Sequence, residues 1–254
     1  MGFFTHNALR TISIGENVRW ENNSMAYAFN GCTNLNSPVY IHPSVTNMQS
    51  TFSDCSKFNQ SMDLSNINTT SMIATFHNCI ELNSTIVLPQ TVTTTNYTFR
   101  YCHNFNQPVI IPNSVQYTIG MFKGCHNFNQ PINIPNNVVS ASDMFTNCRN
   151  FNQPLVIPDS VNARGVLYML DGCTNMSQDV KIYSTIINNA YRFCANKNNS
   201  KRLNIFVPST GNTFNAFKST ATANRIVQST ITWTTMTNGV YNSKWNIYIY
   251  NNLA

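Results

Sequence analysis

The chain has 254 residues, of which 42% are hydrophobic and only 9% charged, against about 25% charged in an average soluble domain. Apolar residues are too plentiful, and charge runs too few, for a chain that stays disordered. No window approaches the ~20 uninterrupted apolar residues of a membrane-spanning helix, so no membrane insertion is expected. The net charge of +6 is uneven: residues 1–180 hold seven Lys/Arg and nine Asp/Glu, whereas residues 181–254 hold eight Lys/Arg and no acid. The basic end reads either as a solubilising segment or as a dock for something acidic.

The segment from Gly2 to Arg10 has no basic start followed by an apolar core, so no secretory signal is expected. Ile12, Ile14, Val18 and Trp20 predict a terminal strand or cap over residues 1–24. From residue 25 a repeat takes over. The eight cysteines stand at 32, 55, 79, 102, 125, 148, 173 and 194, in steps of 21 to 25 residues. Disulfide frameworks are irregular, and metal sites pair ligands two to four residues apart; one Cys per fixed interval is instead a structural repeat. Three residues before Cys come Phe29, Phe52, Phe76, Phe99, Phe122 and Phe145, then Leu170 and Tyr191. Three residues after it come Leu35, Phe58, Leu82, Phe105, Phe128, Phe151 and Met176, followed by Asn at 36, 59, 83, 106, 129 and 152.

An apolar, variable, apolar triplet follows, as in Val39 and Ile41, Met62 and Leu64, or Ile132 and Ile134, and Pro89, Pro112, Pro135 and Pro158 close four of these. Such a triplet predicts a short strand with two side chains inward and one outward, ended by a residue that cannot donate to a ladder. The spacing of Val115, Phe122 and Cys125 suits a short helix or helical turn, so an irregular or helical return is expected in each unit. One such unit cannot bury its apolar face alone; stacked units can, with caps at the ends. The repeated Cys is expected as a small buried hydrophobe. The repeated Asn is expected inside the turn, satisfying backbone groups and forming a ladder along the stack.

The unit of Ile111-Pro112, Val115, Phe122, Cys125 and Phe128 resembles the leucine-rich repeat of the Treponema-type, or BspA-like, class. The Met-Phe and Phe-Asn-Gln segments are similar to surface-protein repeats of mycoplasmas, firmicutes and gut bacteriophages. The resemblance spans residues 25–208, with departures at Leu64-Ser65, near Ala163-Arg164-Gly165, and after Cys173. It implies an α/β repeat solenoid: a right-handed coil of about eight rungs, each with one short parallel strand and one short helical turn. Residues 1–24 would cap one end and residues 209–254 the other. LNIFVPST reads as one last strand and proline. Beyond it a helix near 212–224, a strand near 226–233, a turn at Asn238-Gly239 and a strand WNIYIY are expected.

The outward residues of the triplets are Tyr40, Asp63, Val87, Ile110, Asn133, Val156 and Lys181. They form a candidate binding column on the concave face, apolar at Val87, Ile110 and Val156; these either mark contact or reflect the strand preference of β-branched residues. A second column just after Cys runs through Thr33, Ser56, Ile80, His103, His126, Arg149 and Thr174, where a pH-sensitive or metal-bridging His103–His126 pair is conceivable beside plain solvated turns. Lys201, Arg202, Lys218, Arg225 and Lys244 are the candidate anchor for an acidic partner, and Tyr248 and Tyr250 could meet sugar or protein.

No GxSxG, HExxH, P-loop or GxGxxG motif is present, and pairing Cys102 with His103 would require a thiol expected to be buried. The expectation is therefore a protein that is not an enzyme and takes no cofactor or metal. It would act as a binding or adhesion module of a bacteriophage virion (tail, fibre or head decoration) that touches a host glycan or protein. The alternatives are a structural virion spacer or a bacterial cell-surface adhesin. Partners would be other virion proteins or a cell-surface protein or glycan, with the chain a homo-oligomer within an assembly. Nucleic acid rests only on the basic end and lacks interleaved aromatic residues.

Overall fold

A computed structural model describes residues 7–187, 193–194, 203–208, 225–226, 233–234 and 245–250. Successive repeats lie on one another in parallel register. Isolated parallel bridges join Ser24 to Asn47, Asn47 to Ser71, Ser71 to Thr94, Thr94 to Tyr117 and Tyr117 to Ser140. On the triplet side, β1 (Met62–Asp63) pairs with β2 (Ile86–Val87), and β3 (Leu155–Ile157) pairs with β4 (Val180–Ile182), both in parallel. A ladder forms at these two places, where the next repeat opens on Thr85 or Asp179: the Met62 and Leu155 amides donate to those carbonyls, each at 3.0 Å. Where the next repeat opens on Pro108, Pro131 or Pro154, the triplets keep their alternating burial without a named strand pair. Proline restricts the residue before it and has no N–H to give.

β4 continues into β5 (Leu203–Pro208), the rung that LNIFVPST predicts. β5 pairs in parallel with β8 (Trp245–Tyr250), which also pairs with β6 (Arg225–Ile226) in parallel and with β7 (Trp233–Thr234) antiparallel. WNIYIY is thus a strand, placed directly against β5. Of the expected strand near 226–233, β6 and β7 cover the two ends, while residues 227–232, the helix near 212–224 and the turn at Asn238-Gly239 lie outside the described residues. At the other end, residues 7–24 hold a 3-10 turn, Glu21–Asn23, and no strand; Leu9, Ile12, Ile14 and Trp20 are partly buried against the first repeat. That stretch therefore packs on the core without a strand.

Of the two forms expected for the return segment, the structure shows the irregular one. No α-helix occurs among the described residues. Instead, alternate amides bond in different directions. Met121, Lys123 and Cys125 donate to the carbonyls three residues back, Thr118, Gly120 and Phe122. Gly120, Phe122 and Gly124 donate across to Ser142, Met144 and Thr146 on the next repeat at 2.7–3.0 Å. A helix would spend every amide within the segment; this ladder spends half of them joining neighbours. The alternation needs left-handed backbone at two places four residues apart: Gly120 and Gly124 here, but Ser50 and Asp54, Ala74 and Asn78, and Tyr97 and Tyr101 in other repeats.

The core is a column of rings. Phe29, Phe52, Phe76, Phe99, Phe122 and Phe145 are fully buried and stack with centroids 5.4–5.8 Å apart and planes within 14°. Phe58, Phe105, Phe128 and Phe151 pack beside them at 4.3–4.7 Å. All eight cysteines are buried. Each from Cys55 to Cys173 points its thiol at the carbonyl of the Phe one repeat earlier, as Cys125 Sγ does to Phe99 O at 2.9 Å. The Cys is thus a small core residue that also satisfies a backbone acceptor. The Asn ladder exists too, at the exposed edge rather than inside the turn. Oδ1 of Asn36, Asn59, Asn83, Asn106, Asn129 and Asn152 accepts the next repeat's amide at 2.8–3.0 Å.

Candidate functional site

The seven outward residues of the triplets are all exposed, each between two buried neighbours. Strand register aligns Asp63 with Val87, and Val156 with Lys181. Beyond Lys181 the register carries the column to Phe206, half-buried in β5. Ile110 stands out at 85% exposed, and Val87 and Val156 are also open. Pro108, Pro131 and Pro154 are exposed beside them and widen the apolar strip. The Asp63 carboxylate accepts the Ser65 amide at 2.9 Å, and hydrogen bonds from Ser65 hold it below its usual pKa. One acid and one base therefore lie five places apart in a column whose middle is uncharged. Such a surface offers shape, apolar contact and two charges.

A family model matches residues 11–109 and 70–184, together more than half of the chain; its description is "Mycoplasma protein of unknown function, DUF285". The chain belongs to the DUF285 family. No curated protein and no solved structure matches it. In this DUF285 chain the matched residues hold all seven column positions, from Tyr40 to Lys181.

The second column is real as a line of neighbours. His103 and His126 stack with centroids 4.3 Å apart and planes 14° from parallel. His126 is held below its ordinary pKa by burial first, then by His103 and by Arg149 on the next repeat. Among the described residues no three His, Cys, Asp or Glu gather as a metal site. The Cys102 thiol, next in sequence to His103, donates to Phe76 O at 2.9 Å, and burial raises its pKa.

Sequence reasoning missed the surface on the other side of Cys. There His77 lies 5.7 Å from Tyr101, and Tyr101 lies 6.4 Å from His103. The Arg100 guanidinium sits 4.6 Å from the Tyr101 ring centre and donates to its hydroxyl at 3.0 Å. The signal was available: His77, Arg100 and Lys123 each stand two residues before a Cys. Of the proposed anchor, Lys201, Arg202, Lys218 and Lys244 lie outside the described residues, and Arg225 opens β6.

Proposed function

We propose that this DUF285 chain is a non-enzymatic contact module: a leucine-rich-repeat-like solenoid that presents one column of side chains to a macromolecular partner. We place it on a bacteriophage virion or, as the second setting, on a bacterial surface, where many copies act together. The observation that carries this reading is the run of exposed residues from Tyr40 to Lys181 on a scaffold whose rings and amides are locked between repeats. A rigid, pre-formed surface loses little entropy when it docks, and multiple copies raise avidity without new contacts. The bridges at regular intervals and the stacked phenylalanines support the solenoid reading.

The test is retention of fluorescent protein on purified particles and on host cells, with Val87→Ser/Ile110→Ser beside the parent. Loss of retention in a variant that folds normally supports the column as the contact face. Equal retention removes the column from the reading, and absence of the protein from purified particles moves it to the bacterial surface.

A further inference from the structure

The exposed column has a pattern that is complementary to itself when reversed. Counted along the stack, Asp63 is second and Lys181 seventh of eight places, Tyr40 being first and Phe206 eighth. We infer that the partner this face fits is a second copy of the chain, docked face to face with its stack running the opposite way. This rests on the reading of the column as a contact face and names its occupant.

The charges choose the orientation. With the two stacks running the same way, Asp63 would face Asp63 and Lys181 would face Lys181, two like-charge contacts. With the stacks reversed about a two-fold axis along the strands, Asp63 of each copy meets Lys181 of the other. The same register sets Val87 on Val156 and Tyr40 opposite Phe206, and brings both copies of Ile110, the most exposed apolar residue, close to the axis. A shift of one repeat in either direction would put both charges against uncharged neighbours. An isologous contact of this kind closes on itself and stops at two copies, and the opposed charges act chiefly on choice of partner and register.

The size of the face sets the strength. Eight places at about 4.8 Å per strand spacing, by three residues at about 3.3 Å, give a footprint of a few hundred Å2 per copy. That is below the ~800 Å2 per partner of a standard complex. The dimer is therefore weak in free solution, and forms where copies are concentrated.

Sedimentation of the full chain from about 1 µM to about 1 mM tests this. The parent is expected to go from monomer to dimer across that range. Asp63→Lys and Lys181→Asp should each weaken association at least about tenfold. The double variant Asp63→Lys/Lys181→Asp, which swaps the pair, should return it to near the parent's value. A parent that stays monomeric throughout, or a dimer that the single variants leave unchanged or that the double variant fails to restore, overturns the inference. The contact-face reading fails separately, when Val87→Ser/Ile110→Ser leaves retention on particles and cells intact. A monomeric parent whose column variants still lose retention means that the face stands and its occupant is a different macromolecule.

Discussion

Replacing Phe122 by alanine removes a fully buried ring that lies 5.7 Å from Phe99, 5.8 Å from Phe145 and 4.3 Å from Phe128. Its neighbours cannot close the gap along the stack, because each repeat is held to the next by amide bonds such as Phe99 N to Met121 O at 2.9 Å and Phe122 N to Met144 O at 3.0 Å. A buried Phe→Ala change costs about 3–5 kcal/mol, more where the site cannot collapse. The lost ring pairs are worth about 0.5–1.5 kcal/mol each beyond their area, which places this site toward the upper end. With a guanidinium slope of about 4 kcal/mol/M, the unfolding midpoint should fall by about 1 M. Ile110→Ser is the matched control: its side chain is 85% exposed, so its cost should stay within about 0.5 kcal/mol. Circular dichroism across a denaturant series measures both. Equal shifts for the two variants would refute the register, and a Phe122→Ala midpoint within about 0.2 M of the parent would refute the ring column as the source of cohesion.

Gly124→Ala should destabilise by about 1–3 kcal/mol, because the residue sits at φ +77° and the new Cβ would overlap the Tyr101 ring. Part of that loss should disappear in a Tyr101→Ala background, and a double-mutant cycle with no coupling would contradict the packing. His126 and His77 are both held below the ordinary value of 6.5 by burial first; His103 and Arg149 add to this at His126, and at His77 Arg100 adds while Asp54 opposes. The unfolded chain therefore takes up these protons at higher pH than the native one, so stability is full above about 6.5 and declines as pH falls below it. The denaturation midpoint should drop between pH 7.5 and pH 5, less so in His77→Asn/His126→Asn; a flat parent profile counts against it. Burial also raises the thiols of Cys55, Cys79, Cys102, Cys125, Cys148 and Cys173, so a thiolate-selective reagent at pH 8 should label these positions only after denaturant is added.

The repeat, its interior and its outward column were legible because each follows from side-chain type at a fixed interval. Cys, Phe and the apolar pairs recur, and recurrence at one interval is enough to say which residues meet. The return segment was not legible in the same way. Phe122 and Cys125 lie three apart, and that spacing serves an α-helix and a chain of three-residue turns equally well. What separates them is backbone sign, and the sequence states it at Gly120 and Gly124 but hides it where Tyr97, Tyr101 or Ala74 takes the same left-handed place. The ring and cation cluster at His77, Arg100 and Tyr101 was missed for a different reason, although its cations recur two residues before Cys. Its members sit at two neighbouring positions of the unit, and only the stacking of repeats brings them onto one surface.

The low charge of the chain follows from the same stacking. Each column sets equivalent positions about 4.8 Å apart, so a charge repeated in every unit would face its own kind above and below, at roughly 1 kcal/mol per contact even in water and more near a low-dielectric wall. An amide in the same place attracts instead: Asn106 Oδ1 takes the Asn129 amide at 2.8 Å, and Asn129 Oδ1 takes that of Asn152 at 2.8 Å. Where charges do occur, they are offset. Lys123 meets Asp143 of the next repeat at 2.6 Å, and Asp63 and Lys181 are kept apart by four uncharged places in their column. His103, His126 and Arg149 break the pattern by standing in line, and burial first, then His103 and Arg149, hold His126 below its ordinary pKa. A neutral surface rich in Asn is thus what a stack of like units requires, and the two charges on the outward column stand far enough apart to avoid this repulsion.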